Sequence, residues 1–337
     1  MTRARIVHLV DDTTAGGVMR VLDHILTAPA MAQTGDHSLR CINRGSISVG
    51  RINADIIVSH LAISWRTLPM LLALRAAHPG THLVHVEHSY TEGFVTHNVT
   101  RKRRFTVLLR TAYALFNKVV AVSHAQARWL AQSVSIPSKK LTVIKSCVDL
   151  SSFRALAAPS GPVRVIGAIG RLDRQKGFDT LITAFRQTVD PAIALHIYGD
   201  GAEAPALRAC AGDDPRIKFM GYCDDQRAVM AGVDAVVMPS RWEAYGLVAI
   251  EALAARRVLL VNDIDGLKDH VPHGAIAVAD ASVAGWARTI EALAGTVPLP
   301  SSVSSRACDC FEDAFALGWQ KLIMPVRGEG FVACFGK

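Results

Sequence analysis

No stretch of the chain reaches the roughly 18 to 20 apolar residues that a bilayer-crossing helix needs. The N-terminus, MTRARIVHLVDD, has only a short apolar run before two aspartates. Neither a membrane span nor a secretory signal is expected. Cysteine is sparse and unpatterned: seven thiols, Cys41, Cys147, Cys210, Cys223, Cys308, Cys310 and Cys334, form an odd and scattered set. Disulfide frameworks belong to short secreted chains, so these read as free thiols in a reducing compartment, and a cytoplasmic location follows. The Cys308-x-Cys310 pair lacks a second cluster at zinc spacing, which argues against a metal site there. Negative charge is in deficit: 29 Asp and Glu against 37 Lys and Arg give a formal charge of +8. An anionic partner is implied, and charge alone leaves nucleic acid, nucleotide phosphate and membrane surface open.

What is present is a long, core-forming chain. Its 337 residues, 50% hydrophobic, exceed the length at which single cores stop growing, so two domains are expected. Short β-branched runs alternate with amphipathic stretches. RIVHLV, DIIVS, HLVHVE, KVVAV and LTVI read as strands of the first half, with helices near 18–26, 66–77, 105–116 and 125–132. After the small-residue linker AAPSGP (157–162) the pattern restarts with VRVIGAI, AIALHIY, RIKF, DAVVM and RVLLV. Helices are expected near 178–187, 203–211, 246–255 and 283–293. Such alternation predicts α/β domains on parallel sheets. We place them at 1–157 and 158–308, followed by an amphipathic helix at 309–323 that can cross back to the first domain.

In open α/β sheets ligands bind beyond the carboxyl ends of strands, and the unusual residues sit there. After DAVVM comes PSRWEAYGLVAIEALA. Glu243 falls in the loop, a helix should begin near Gly246, and Glu251 then lies roughly 8 Å along the axis. The N–H groups of Tyr245, Gly246 and Leu247 at that helix start form an anion site. An anion flanked by two carboxylates suits a nucleoside diphosphate sugar, with Glu243 on the sugar hydroxyls and Glu251 on the ribose diol. Taken alone, such a glutamate pair is more often solvated surface. After VRVIGAI, the loop GRLDRQKG offers Arg171 and Lys176 among Gly167, Gly170 and Gly177, a cradle for pyrophosphate or a solvated basic turn. It fits neither a Walker loop nor a GxGxxG fingerprint. Gly16 and Gly17, at the first helix entry, allow close backbone approach to a ligand or simply a turn. His88 ends a strand and can hydrogen-bond a substrate hydroxyl or developing charge, although any one of the thirteen histidines is more often structural; His60 and His124 carry the same two readings. No Asp-x-Asp metal pair is expected at a strand end.

GRLDRQKGFDTLITAF, IYGDGAE…LR, IKFMGY and PSRWEAYGLVAIEALA together resemble the retaining glycosyltransferases of family four, which have the GT-B fold of two Rossmann-like domains facing across a cleft. The first half is similar more loosely, through Gly-Gly after strand one, DIIVSH, His88, VVAVSHAQARWL and VIKSCVDLSSF. The resemblance implies that Arg171 and Lys176 neutralise the donor diphosphate, Glu251 binds the ribose and Glu243 the transferred sugar. It also implies backbone contacts from Tyr245–Leu247, approach of Gly17 with Gly16 to the phosphate, and His88 as the active-site histidine. Neither metal nor other cofactor is implied, since basic groups and a helix end stabilise the leaving phosphate. Retention follows from front-face attack. Two departures stand out: Lys145-Ser146-Cys147 replaces the family's Pro-Asn-Gly, and the first domain is compact, with a glycine-broken stretch near 44–51.

The expected partners are a nucleotide-sugar donor and a glycan or lipid-linked acceptor. RKRRFTVLLRTAYALF (101–116) reads either as an amphipathic helix on an anionic membrane or as a core helix with a basic entry. Another GT-B enzyme, such as a nucleotide-sugar epimerase, and a non-catalytic basic membrane-binding protein are the competing functions. No nucleic-acid motif is present, so nucleic acid is not an expected partner.

Overall fold

The computed structural model describes residues 3–14, 16–43, 45–47, 49–296 and 310–327. Two six-stranded sheets emerge, parallel throughout. The first contains β1 (Arg5–Val10), β2 (Asp36–Cys41), β3 (Ile56–Ser59), β4 (His82–Glu87), β5 (Lys118–Ala121) and β6 (Leu141–Val143), in the order β2-β1-β3-β4-β5-β6. The second contains β7 (Val165–Ile169), β8 (Ala194–Tyr198), β9 (Ile217–Gly221), β10 (Ala235–Met238), β11 (Val258–Asn262) and β12 (Ile276–Val278). Its order, β12-β11-β10-β7-β8-β9, is that of a Rossmann sheet. Central strands are apolar on both faces because helices cover both: every residue of β3 and of β10 is buried.

Two strands differ from the sequence expectation. β2 (DHSLRC) escapes a hydrophobicity reading because it is an edge strand, paired only to β1, and none of its residues is buried. β12 is the edge strand of the second sheet and only three residues long. The basic helix spans Lys102–Ala114. It packs Leu108, Leu109, Ala112 and Tyr113 inward, so its apolar face is core-facing while Arg101–Arg104 stay exposed. The C-terminal helix is Phe311–Ile323. Asp309, Cys308, Cys334 and most of the tail PVRGEGFVACFGK lie outside the described residues, as does Arg44 of the glycine-broken stretch.

The chain forms two compact units that are discontinuous in sequence. The first sheet's unit runs to Tyr90, resumes over Asn98–Val148, and takes in the chain from Phe311 onward; the other joins Thr91–His97 to Asp149–Cys310. In the first unit the C-terminal helix lays Phe315 against His24 and Trp319 against His8. In the second, Thr91 Oγ1 and Gly93 N–H donate to the Asp265 carboxylate at 2.6 and 3.1 Å, and Phe94 and His97 face the Trp242 ring. Residues after Asp149 are gripped there too: Arg256 donates to the Arg154 and Leu156 carbonyls, and Arg257 to that of Ala157. The second core gathers Ile166, Phe185, Leu195, Ile197, Trp286 and Ile290.

Candidate active site

Strand order reverses between β7 and β10, which opens a crevice at their carboxyl ends. Two loops meet there. From β7 the chain passes Gly170 and Arg171, makes a tight turn at Arg174–Lys176, and enters the helix Phe178–Phe185 through Gly177. From β10 it runs through Arg241–Tyr245 to Gly246, which caps the helix Leu247–Ala254.

Glycine is required at both helix entries. Gly177 has φ +67°, and a Cβ on it would collide with the Pro239 carbonyl oxygen of the other loop. Gly246 has φ +87°, with Met238 Cε 2.9 Å from the place of a Cβ. Gly167 serves packing instead: it lies inside β7, where a Cβ would stand 2.8 Å from Val233 Cγ1. The expected three-glycine cradle therefore reduces to Gly170 and Gly177.

Hydrogen bonds stitch the loops together. Arg241 N–H donates to the Gln175 carbonyl at 2.8 Å, Gln175 Nε2 to the Trp242 carbonyl at 3.0 Å, and the Arg241 guanidinium to Asp179 at 2.7 Å. Burial of the Asp179 carboxyl works against ionisation, but the Arg241 hydrogen bond and charge outweigh it and hold its pKa below the ordinary value. At the centre, Lys176 Nζ lies 2.5 Å from Glu243 Oε2, the two side chains only 16% and 12% exposed. Glu251 is 0% exposed. Neither glutamate is a solvated surface residue. Arg171 differs: its side chain is 74% exposed, reaching Asp173 and Gln175 at 3.2 Å each. Tyr245 is buried, its carbonyl accepting from His270 Nε2 at 2.8 Å. The helix starts at Leu247; Ala249 N–H donates to the Gly246 carbonyl at 3.0 Å, and the N–H groups of Leu247 and Val248 have no intrahelical acceptor.

Asp265 is the residue that sequence reasoning missed. It accepts from Glu243 N–H at 3.3 Å as well as from Thr91 and Gly93, so it fixes the backbone that carries Glu243. Burial raises its pKa against those hydrogen bonds. One sequence signal is its position, just after β11. With Asp263 it also makes an Asp-x-Asp pair at a strand end, contrary to expectation. Asp263 pairs with Lys268 at 3.8 Å while Asp265 holds the segment Thr91–His97. Among the described residues no group of three or more His, Cys, Asp or Glu is arranged to hold a metal ion.

Arg171, Lys176, Glu243, Tyr245, Gly246, Leu247 and Glu251 thus all fall in one unit, and Gly16, Gly17 and His88 in the other. Gly16 is exposed and extended (φ −178°), a backbone any residue adopts, and caps the helix Gly17–Thr27. His88 follows β4, half-buried, its Nε2 2.8 Å from His60 Nδ1. His124 is exposed at the start of the helix His124–Gln132. Next to His88, Glu87 folds back to accept from the Ser89 and Tyr90 amides and the Tyr113 hydroxyl. Burial opposes its ionisation, but His85, Tyr113 and the Tyr90 amide together hold its pKa below the ordinary range.

Residues 163–295 match the family described as Glycosyl transferases group 1, and residues 11–152 match Glycosyltransferase Family 4. The chain belongs to the group 1, family 4 glycosyltransferases. It is 27% identical over 254 residues to a glycogen synthase of Mycobacterium tuberculosis, covering 71% of this chain and 58% of that protein. It is 30% identical over 205 residues to a D-inositol 3-phosphate glycosyltransferase of Nocardia farcinica, covering 53% and 45%. This glycosyltransferase-family chain thus spans only about half the length of these curated relatives, 58% of one and 45% of the other. Among solved structures it resembles Anabaena HepE in complex with UDP and glucose, with a TM-score of 0.71 and 17% identity over 97% of this chain and 100% of that one. A likeness at that identity speaks to fold alone, and the fold is GT-B. Among the described residues no helix is long and apolar enough to cross a membrane.

Proposed function

We propose that the chain transfers a sugar from a UDP- or GDP-type nucleotide sugar to a glycan or lipid-linked acceptor, with retention and without a metal ion. The observation that carries this reading is the half-buried Lys176–Glu243 pair at the switch point of the second sheet, in front of a helix start and the buried Glu251. A diphosphate entering there draws the Lys176 ammonium from carboxylate to phosphate and frees Glu243 for the sugar hydroxyls. Arg171, on an exposed arm, adds a second cation, and Glu251 takes the ribose diol. Gly16, Gly17, His88 and the backbone of Tyr245–Leu247 complete the donor contacts. In the reaction the C1–O bond to the diphosphate breaks as the acceptor oxygen bonds C1 on the same face. The acceptor proton passes to the departing phosphate oxygen, whose charge Arg171, Lys176 and the helix start stabilise. The complex of the Anabaena relative with UDP and glucose supports a donor of the UDP class.

A peripheral membrane contact is a subsidiary reading. It draws on exposed Arg101–Arg104 and on Trp65, 44% exposed with the Arg104 guanidinium 5.2 Å from its ring. A thermal-shift panel of nucleotide sugars and free nucleotides tests the main proposal. A ligand at 100 times its Kd stabilises by about 2.7 kcal/mol. A panel in which no nucleotide diphosphate or its sugar shifts the transition refutes the donor site. Product analysis separates transfer from epimerisation.

A further inference from the structure

Four histidines of the first unit are joined ring to ring. His88 Nε2 lies 2.8 Å from His60 Nδ1, His60 Nε2 2.9 Å from His8 Nδ1, and His8 Nε2 3.0 Å from His37 Nδ1. His37 Nε2 then meets Thr34 Oγ1 at 2.8 Å, and that hydroxyl lies 2.8 Å from the Met31 carbonyl. Sheet order makes the chain: His37 and His8 stand on neighbouring β2 and β1, and His60 and His88 directly follow β3 and β4. Successive rings stack with centroids 5.1 to 5.3 Å apart, and Trp319 sets its edge against His8 and His37.

The end of the chain sets its direction. Thr34 has one hydroxyl proton, which the Met31 carbonyl takes, so the oxygen can only accept from His37 Nε2. A neutral imidazole has one donor and one acceptor. His37 Nδ1 must then accept from His8 Nε2–H, His8 Nδ1 from His60 Nε2–H, and His60 Nδ1 from His88 Nε2–H. His88 Nδ1, which has no hydrogen-bond partner among the described residues, is left with a lone pair. We propose that Thr34, His37, His8 and His60 are positioning residues that lock His88 as the Nε2-protonated tautomer, so that its Nδ1 meets substrate only as a hydrogen-bond acceptor.

The rings are neutral near pH 7. Burial is the leading cause in each, lowering His88 and His37 to about 4 and His8 and His60 well below the ordinary value. Such an His88 accepts from a hydroxyl of the sugar or acceptor and repels a phosphate or carboxylate oxygen. The chain ends on a carbonyl, so it orients and does not export a proton. Cooperative polarisation along it strengthens the Nδ1 acceptor. This inference rests on the reading that His88 faces the substrates, and its test separates the two.

Long-range proton–nitrogen NMR of the 15N-labelled protein reads each tautomer. We expect all four rings protonated at Nε2; an Nδ1-protonated His88 in the unaltered protein overturns the proposal. Thr34→Val leaves His37 Nε2–H facing a methyl group, and a buried orphan donor is tolerated less than an orphan acceptor. The His88 signals should then move toward the Nδ1-protonated form, and Thr34→Ser should restore them. Unmoved His88 tautomers in folded Thr34→Val also overturn the proposal. UDP-glucose and GDP-mannose serve as probes of location. His88 signals indifferent to both, with the Nε2 pattern intact, would remove His88 from the site while leaving the tautomer lock standing.

Discussion

Lys176 and Glu243 neutralise each other at 2.5 Å, both largely shielded from water, so removing either leaves a charge without its counterpart. Lys176→Ala should lower the stability of the second unit by about 1 to 3 kcal/mol, the penalty for a buried polar group left unsatisfied. It should also weaken nucleotide diphosphate binding. Denaturant unfolding followed through that unit checks the first effect; an unchanged midpoint would mean that water already satisfies Glu243. Glu243 and Glu251 should separate in kinetics. In the role proposed for it, Glu251 grips the unreacting ribose, so Glu251→Gln should mainly raise donor KM. Glu243→Gln removes the carboxylate proposed to face the sugar as positive charge develops at its anomeric carbon. It should lower kcat by about a hundredfold or more. Reversal of this pattern in steady-state kinetics would exchange the two roles. These residues were legible because each follows a recognisable strand. Asp265 was not, because its partners Thr91 and Gly93 lie 174 and 172 positions away. Nor was the histidine chain, whose links span 28 to 52 positions and arise only when parallel strands align.

At the scale of elements, the site depends on two strand-to-helix loops held in register. Gly177 joins them, because only a residue without Cβ tolerates φ +67° against the Pro239 carbonyl. Gly177→Ala should cost about 1 to 3 kcal/mol for the left-handed backbone alone, with the clash in addition. The loops should move apart and nucleotide affinity fall with stability. A Gly177→Ala protein as stable as the unaltered one would show that the loops are not clamped there. The strands supplying both loops were plain in the sequence, since β7 and β10 are buried β-branched runs. The edge strand β2 was hidden because DHSLRC presents no buried face. The basic helix was legible as amphipathic, but which surface its apolar face would meet depended on tertiary packing, and Leu108, Leu109, Ala112 and Tyr113 turned inward.

For the whole molecule, the histidine chain gives stability a pH dependence of definite sign. His8, His37, His60 and His88 have folded pKa values below the unfolded value of 6.5. Their contribution is complete above about 6.5 and is lost as pH falls toward the folded values, because unfolding then takes up protons. Each such histidine adds a slope of about 1.4 kcal/mol per pH unit. Glu87, lowered as well, continues the loss at more acid pH, while the raised Asp265 works the other way as a single group. Unfolding free energies should fall steeply between pH 6.5 and about 4; a flat profile would mean that these rings titrate normally. The division into two units was legible as a restart of the strand rhythm, but the placing of Thr91–His97 with the second unit was not, because it depends on Asp265. The central claim is that the β7 and β10 loops bind a nucleotide diphosphate without metal. Calorimetric titration of UDP and GDP in the presence of a chelator, into the unaltered protein and Arg171→Ala, tests it most directly. The account predicts binding of at least one nucleotide despite chelation, weakened roughly ten- to hundredfold by loss of the Arg171 charge-assisted contact. Binding of neither nucleotide, binding restored only by magnesium or manganese, or equal affinity in Arg171→Ala would contradict it.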